Sequence, residues 1–432
     1  MSQLKQHFTA LEWLRFGLGL YIVFFHTFHF PGLPEWVTKS TQLGFFATST
    51  FFVLSGFLLS HVYLVRKVDH SVKMRESTRS FLVKRFANLY PIHIFSLLAT
   101  LVIVSALPLF LIKPDDAGAS LRFVVFDVNN YANGHALRHY MNNAELIIAF
   151  IMNFTLLQSL NPYYLTFNAP AWTVSTLFCL YLLFPFLSIR LSKLKNPLGA
   201  MMLINLIYLV PVLLVIGFTD FGYPETGILH RNPLVRLPEF AAGILLCSLY
   251  HRRSSVAKGL SRLMGISLAA LIVLSLYGAS HLLAIAPRIS QSGNVPYYLL
   301  HNGALLPAQL ALIYLCLFIR LPDNERFVRW SRRLGGASLP MFAFHVPIYI
   351  IYSRLQLVAA GSPGLCFTQF RECMTQAGPP LVAFYPVYLF IMIVFCLFFQ
   401  ERVVVVCRQK IIEILIGKAG LFGRKMPWVA RS

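Results

Sequence analysis

Apolar stretches of about twenty residues recur along this whole chain, the length a helix needs to cross about 30 Å of hydrocarbon. Ten are read, at about 13–30, 43–65, 87–112, 170–189, 198–218, 234–250, 263–285, 297–319, 336–357 and 381–400. Such spans must be helices, because an open strand in lipid leaves its backbone groups unpaired. Composition agrees. Of the residues 57% are hydrophobic and 12% charged, with a mean hydropathy of +0.65, whereas a soluble domain carries about a quarter charged residues. The expected fold is all-α, a polytopic bundle of about ten transmembrane helices around a central cavity. The first span lacks a small-residue cleavage site and more spans follow it, so it reads as a retained helix and not a signal peptide.

Charge placement orients the bundle. With a cytoplasmic N-terminus and alternating spans, the inner segments are "RKVDHSVKMRESTRSFLVKR", "RLSKLK", "HRRSSVAKGLSR", "RLPDNERFVRWSRR" and the tail from Glu401. They hold 26 of the 37 Lys and Arg residues, which is the positive-inside bias and puts both termini in the cytoplasm. The net charge of +21 is therefore spent on orientation and on meeting anionic lipid or an anionic cytosolic substrate. A nucleic-acid partner is not expected, since such a binder gathers its charge on one soluble face. A membrane-embedded domain over 1–402 and a basic cytoplasmic tail over 403–432 follow. The longest extramembrane stretch is the outer loop 113–169. Within it "AELIIAFIMNFTLLQSL" (144–160), interrupted by Asn153 and Gln158, reads as a helix in the outer interface or lining the bundle.

Of the seven cysteines, Cys366 and Cys373 stand apart, in an outer loop with six residues between them. They are either two free thiols or, in an oxidising compartment, a disulfide. No Cys/His spacing resembles a zinc site, so no metal is expected. A phosphate-binding Gly loop and a G-x-S-x-G elbow are also missing.

The segment "LRFGLGLYIVFFHTFHF" (14–30) carries Arg15, His26 and His29, and ionisable groups at membrane depth are costly. Arg15 and His26 are eleven residues apart, close to three helical turns, so they share a face at about 16 Å separation along the axis. His29 adjoins that face. Taken singly, Arg15 also fits an inner-edge arginine that snorkels, and His26 a histidine bonded to a neighbouring helix.

Six strings add a family likeness. "LEWLRFGLGLYIVFFH", "FFVLSGFLLS" (51–60), "FLVKRFANLYPIHIF" (81–95), "APAWTVSTLFCLYLLFPFL" (169–187), "RLPEFAAGILLC" (236–247) and "LGGASLPMFAFHVPIYI" (334–350) occur in this order. Together they resemble the signatures of acyltransferase family 3, membrane-bound O-acyltransferases acting on glycans and other cell-envelope acceptors. The first of these resembles that family's Arg, ten residues, then His. There are two departures. Leu177 stands where the family's Trp-Ser-Leu-Ser-Val-Glu segment has its glutamate, and Asn88 stands where a second arginine often follows Arg85.

The resemblance implies transfer of an acyl group, most often acetyl, from cytosolic acyl-coenzyme A to a hydroxyl of a carbohydrate acceptor. That acceptor would be an exopolysaccharide, lipopolysaccharide or other envelope glycan, or a lipid-linked saccharide, handled at a bacterial inner membrane with polysaccharide-synthesis partners. No bound cofactor is implied, and acyl-CoA is a substrate. Neutral imidazole suits removal of a hydroxyl proton near pH 7, so His26 is the candidate base, or alternatively a transient acyl carrier. Guanidinium and ammonium groups suit the donor's phosphates, so Arg15, Lys84 and Arg85 are the candidate donor clamp.

Other residues have plainer readings beside functional ones. Ser55 and Gly56 permit close helix approach. Trp172 is either a cavity wall or an interfacial-belt residue. Arg236 and Glu239, three apart, form either a local ion pair or an acceptor-side polar pair. His345, followed by Pro347, is either structural or cavity-lining. His29 and His93 read as structural, and the Asn153-Phe-Thr155 sequon lies in a segment too apolar for a good glycan acceptor. The reading from a different class is a secondary transporter or exporter of a small anionic or sugar-like solute. That class is expected to show an inverted repeat, and none is read.

Overall fold

A computed structural model describes residues 8–66, 71–110, 120–126, 138–254, 259–289, 294–375 and 381–417. Helix α1 (Thr9–Thr27) is followed by the short α2 (Glu35–Thr41) and by α3 (Gly44–Tyr63). A small hairpin, β1 (Leu64–Arg66) with β2 (Val72–Met74), leads into α4 (Thr78–Phe110). The outer loop holds β3 (Phe123–Phe126), β4 (Arg138–Tyr140), α5 (Asn143–Phe154) and β5 (Tyr164–Thr166). After it come α6 (Trp172–Ser192), α7 (Pro197–Phe218), the short α8 (Glu225–Arg231), α9 (Pro233–Ser254) and α10 (Arg262–Ile289). Helices α11 (Asn294–Leu299) and α12 (Leu306–Cys316) flank a broken turn. The chain closes with α13 (Glu325–Ala360), α14 (Phe370–Thr375), α15 (Tyr385–Phe398), a π-turn (Phe399–Val404) and α16 (Val405–Ile416).

Nine of the ten apolar stretches each centre on one helix, and the stretch 297–319 is divided between α11 and α12 by a break. Among the described residues, eight helices are long and apolar enough to cross a membrane, nine if the bent α11–α12 pair is one span. Helix α1 is not among these, because Glu12, Arg15 and His26 dilute its apolar run. It is instead wedged inside, packed most heavily on α13 and next on α3. Helix α10 lies at the other extreme, with only 6% of its apolar window buried, so nearly all of it is left for lipid.

The chain's described ends meet on one face. The Phe8 ring packs on His61 at 5.0 Å and Tyr250 at 5.6 Å, the last turns of α3 and α9. Arg79, opening α4, donates to the Leu415 carbonyl near the end of α16 at 3.1 Å. This is the face that carries the basic segments.

Three boundaries differ from the sequence reading. Helix α13 begins at Glu325, not near 336, because the Asn324 side chain accepts the Phe327 N–H at 2.9 Å and caps it. The basic segment before that span is therefore helical. Helix α4 likewise starts at Thr78, and the last span runs on through α16 to Ile416. Residues 418–432 of the basic tail, and 111–119 and 127–137 of the outer loop, lie outside the described residues. A further difference is a three-stranded antiparallel sheet, ordered β4-β3-β5, in the outer loop.

Helix α5 has the character of an interfacial helix. Asn142 and Glu145 form a reciprocal capping box. The Asn142 backbone N–H holds the Glu145 carboxyl below the usual carboxylate range. Ile147, Ile148, Ile151 and Phe154 are exposed along one side while Ala149 and Asn153 are buried on the other, a one-sided apolar face suited to lying in lipid. Asn153 is 1% exposed and donates to Ala149 O and Thr166 Oγ1, so the sequon asparagine is closed to a glycan. Beyond α13, Cys366 and Cys373 are disulfide-bonded, which answers the alternative the sequence left open.

Two glycines set the tightest helix contact. A Cβ on Gly56 of α3 would collide with the Phe240 carbonyl of α9, and one on Gly243 of α9 with the Val53 carbonyl of α3. The two backbones touch where neither residue has a side chain, as small-residue interfaces allow in membranes. Gly243→Val forces backbone against backbone and should cost more than the about 1–3 kcal/mol of ordinary core overpacking. Thermal unfolding of the detergent-solubilised variant should show a lower midpoint and a lower folded yield than wild type.

Candidate active site

The centre of the site is a pair of histidines brought together across the α1–α13 seam. His345 Nδ1 lies 2.9 Å from the Met341 carbonyl. A carbonyl only accepts, so this nitrogen carries the proton. His345 Nε2 is then the acceptor, and it faces His26 Nδ1 at 3.2 Å. His26 Nδ1 therefore also carries a proton, which is shared with the Ile22 carbonyl at 3.1 Å. The remaining nitrogen, His26 Nε2, keeps its lone pair and makes no hydrogen bond among the described residues. His26 lies within Coulombic range of His29 and His230, and the residue stays exposed although its ring packs on His345 at 4.9 Å and Phe25 at 4.8 Å. His345 is fully buried, and Tyr388 donates to its backbone carbonyl at 3.0 Å. This geometry places His345 directly behind His26, beyond the sequence reading of it as structural or cavity-lining.

Toward the basic face the structure brings Arg15 and Arg85 near one place. Both lie within Coulombic range of the buried Tyr181 hydroxyl on α6. Arg15 donates to Glu12 at 3.0 Å, and Arg85 donates to the Tyr63 hydroxyl at 2.7 Å. The Arg85 Nε has no hydrogen-bond partner among the described residues. Arg408 of α16 joins them, within Coulombic range of Arg85 and Tyr63. Sequence reasoning missed it by counting it as tail charge. Lys84 is placed differently. It is 6% exposed and ion-paired with Glu76, which also accepts from Ser80 at 2.7 Å. Its ammonium closes the turn into α4 and does not stand open beside Arg85.

Toward the other face lies a buried polar knot. Arg236 and Glu239 form the local pair expected, at 3.2 Å, with side chains only 4% and 1% exposed. The knot is wider than a pair. Arg236 Nη1 also donates to the Tyr208 hydroxyl at 2.6 Å and to the His301 carbonyl at 2.9 Å, and its Nε to the His230 carbonyl at 2.9 Å. Tyr208 donates to Glu239 Oε1 at 2.6 Å. The reason is the break between α11 and α12, where Asn302 and Gly303 leave helical geometry. A broken helix frees carbonyls that lipid cannot satisfy, and Arg236 satisfies one. Trp172 is buried, its ring 4.8 Å from His230 and 6.1 Å from Phe52. That is an interior wall position and not a belt at the lipid edge.

The remaining candidates are structural ties. His93 Nε2 lies 2.6 Å from the Asn153 carbonyl and holds α4 against the end of α5. Gly56 serves the α3–α9 contact already described. Leu177, in the family's glutamate position, is packed among Phe52, Trp172, Phe184 and Phe240, a site where a carboxylate would have to be buried. His230 and His301, on α8 and at the helix break, were not singled out from the sequence. Only the folding of distant segments puts them beside His26 and Arg236.

A bundle of membrane-crossing helices with a tautomer-ordered imidazole pair across one seam and guanidinium groups toward its basic face defines a polytopic membrane protein. The chain matches the acyltransferase 3 family, described as an acyltransferase domain, over residues 8–401, and belongs to that family. It is 27% identical over 271 residues to the acyltransferase MdmB of Streptomyces mycarofaciens, a match covering 60% of this chain and 59% of that protein. No solved structure matches the chain.

The polar knot makes an asymmetric prediction for stability. Arg236→Met removes the partner of a buried carboxylate and should destabilise by about 3–5 kcal/mol. Glu239→Gln keeps an acceptor for Tyr208 and should cost less. Unfolding midpoints of the two detergent-solubilised variants, measured side by side, test this ordering.

Proposed function

We propose that the protein is an O-acyltransferase that moves an acyl group, most simply acetyl, from cytosolic acyl-CoA to a hydroxyl of an envelope saccharide at a bacterial inner membrane. The observation that carries the reading is the open lone pair on His26 Nε2, aimed away from a fully ordered hydrogen-bond chain. In this mechanism the acceptor hydroxyl gives its proton to Nε2 while its oxygen forms a bond to the thioester carbonyl carbon. The tetrahedral intermediate collapses, the carbon–sulfur bond breaks, and the leaving thiolate takes the proton back from the imidazolium. His345 acts on His26 and not on substrate. Its Nε2 accepts from the Nδ1–H of His26, orients the ring and stabilises the cation as it forms.

Arg15 and Arg85, with Arg408 beside them, clamp the donor's phosphates toward the basic face, and the thioester arm runs along α1 toward His26. Lys84 supports this clamp through its pair with Glu76. Trp172, Arg236 and Glu239 form the wall on the acceptor side. Polysaccharide-synthesis enzymes are the natural suppliers of the acceptor.

The broken α11–α12 helix favours a second reading, because transporters build midplane sites from discontinuous helices. Here, however, Arg236 already occupies the freed His301 carbonyl, so that carbonyl is not open to a coupling ion or solute.

Purified protein in detergent should bind acetyl-CoA and release free coenzyme A in the presence of a saccharide acceptor, with a matching acyl mass gain on the acceptor. Absence of both, together with solute uptake into proteoliposomes, would favour the transporter. His26→Ala should lower turnover by about 100-fold or more, and His345→Ala by a comparable factor through lost orientation. Arg85→Ala should chiefly raise KM for acetyl-CoA. Because the base acts as neutral imidazole, the rate should rise with pH to a plateau and fall on acidification.

A further inference from the structure

A second cluster of metal-ligating side chains lies apart from the histidine pair, at the basic-face ends of α3 and α9. His61 Nδ1 faces His251 Nε2 at 3.1 Å, and these atoms and Cys247 Sγ all lie within 4.8 Å of one another. Cys247 and His251 are one helical turn apart on α9, which puts them on one face. His61 comes from the last turn of α3. The sequence shows no such motif because His61 and His251 are 190 positions apart.

We infer that His61, Cys247 and His251 form a zinc site that pins the inner end of α3 to α9. The donor set is two imidazoles and a thiolate, which zinc prefers among common divalent ions. Zinc–nitrogen bonds of about 2.0–2.1 Å at a tetrahedral angle put two nitrogens about 3.3 Å apart, close to the separation found. The surroundings have the features that support such a site. Arg66 Nη2 donates to Cys247 Sγ at 3.5 Å, which fixes the direction in which the sulfur points. The rings of Phe8, Phe57 and Tyr250 wall the imidazoles in, Phe8 at 5.0 Å from His61 and Tyr250 at 5.5 Å from His251. An apolar shell of this kind limits solvent access and lowers the local dielectric around the ligands. Three protein ligands leave a fourth position for water. Helices α3 and α9 already touch through Gly56 and Gly243, and a metal at their basic-face ends adds a second tie to that contact. The competing account is a plain hydrogen bond between two neutral histidines, with Cys247 bonded to Arg66.

The test uses full-length protein carrying a tag without histidine, stripped with a chelator and titrated with cobalt(II) as the optical stand-in for zinc. About one equivalent should bind, with the visible bands of a four-coordinate ion and a near-ultraviolet sulfur-to-cobalt band, and zinc should displace it. Cys247→Ser should lose the sulfur band, and His251→Gln should weaken binding at least about tenfold. Wild-type protein that binds less than about a tenth of an equivalent overturns the inference without reference to any variant. A cobalt spectrum unchanged in Cys247→Ser overturns it as well. Because this readout does not involve acyl transfer, it fails or succeeds independently of the proposed activity.

Discussion

The seam between α1 and α13 is the contact on which the site depends. Helix α1 is too polar to face lipid along its length, so it is stable only where another helix covers its ionisable side. Helix α13 does so in register from end to end. Trp13 donates to Ser331 at 2.9 Å, Gly335 leaves room for Glu12, and Gly19 rests on Ser338. Farther along, His26 meets His345 and Thr27 bonds the Tyr385 hydroxyl of α15 at 2.8 Å. A slip of one residue between these helices would break each of these contacts together. The relay geometry is therefore a consequence of helix packing, and not of a flexible loop brought over a substrate.

The choice of a second histidine behind the first has a physical rationale in a low-dielectric interior. A carboxylate in that position would orient an imidazole equally well, but its charge would need several kcal/mol of compensation once buried. A neutral imidazole that donates to Met341 O and accepts from His26 performs the orientation without a resting charge. Leu177 fits this account. Leu177 belongs to a buried hydrophobic cluster with Phe52, Trp172, Phe184 and Phe240, so in the proposed mechanism proton handling falls to imidazoles. The buried acid that remains, Glu239, is held by Arg236 and Tyr208 and serves the helix break.

Much of this was legible in the residues. Spans of lipid-crossing length have few alternatives, and the Lys and Arg distribution sorts their ends, so the long helices could be placed from apolarity and charge, whereas the short α2, α8 and α14 could not. Arg15, His26 and His345 were each visible as charged or titratable residues where such groups are costly. What could not be read was partnership. His26 and His345 are 319 positions apart, and nothing in either helix announces the other. Lys84 looked like a free cation because Glu76 sits across a turn whose course is set by the β1–β2 hairpin. Arg408 looked like tail charge because Gln400, Glu401 and Arg402 in the π-turn interrupt the apolar run before the helix goes on. The outer sheet was invisible for the opposite reason: its strands are three or four residues long, too short to show alternation.

The helix break and its arginine show how the fold meets a demand it creates. Membrane-depth backbone is normally satisfied within its own helix, and a departure at Asn302 and Gly303 exposes groups that neither lipid nor an absent turn can satisfy. Asn302 returns its own amide to the Tyr298 carbonyl at 2.9 Å, and Arg236 takes the His301 carbonyl from a different helix. That guanidinium then needs a counter-charge, which Glu239 supplies from the next turn of α9, and Tyr208 bridges the two from α7. Each buried charge is thus accounted for by the one before it, starting from a kink in the backbone. The same kink carries His301, whose ring lies within Coulombic range of Arg236 and His230, and His230 in turn lies within range of His26. Arg236 and Glu239 therefore do more than a local ion pair would. They hold a broken helix in place so that the wall near His26 is polar and ordered in the middle of an apolar bundle.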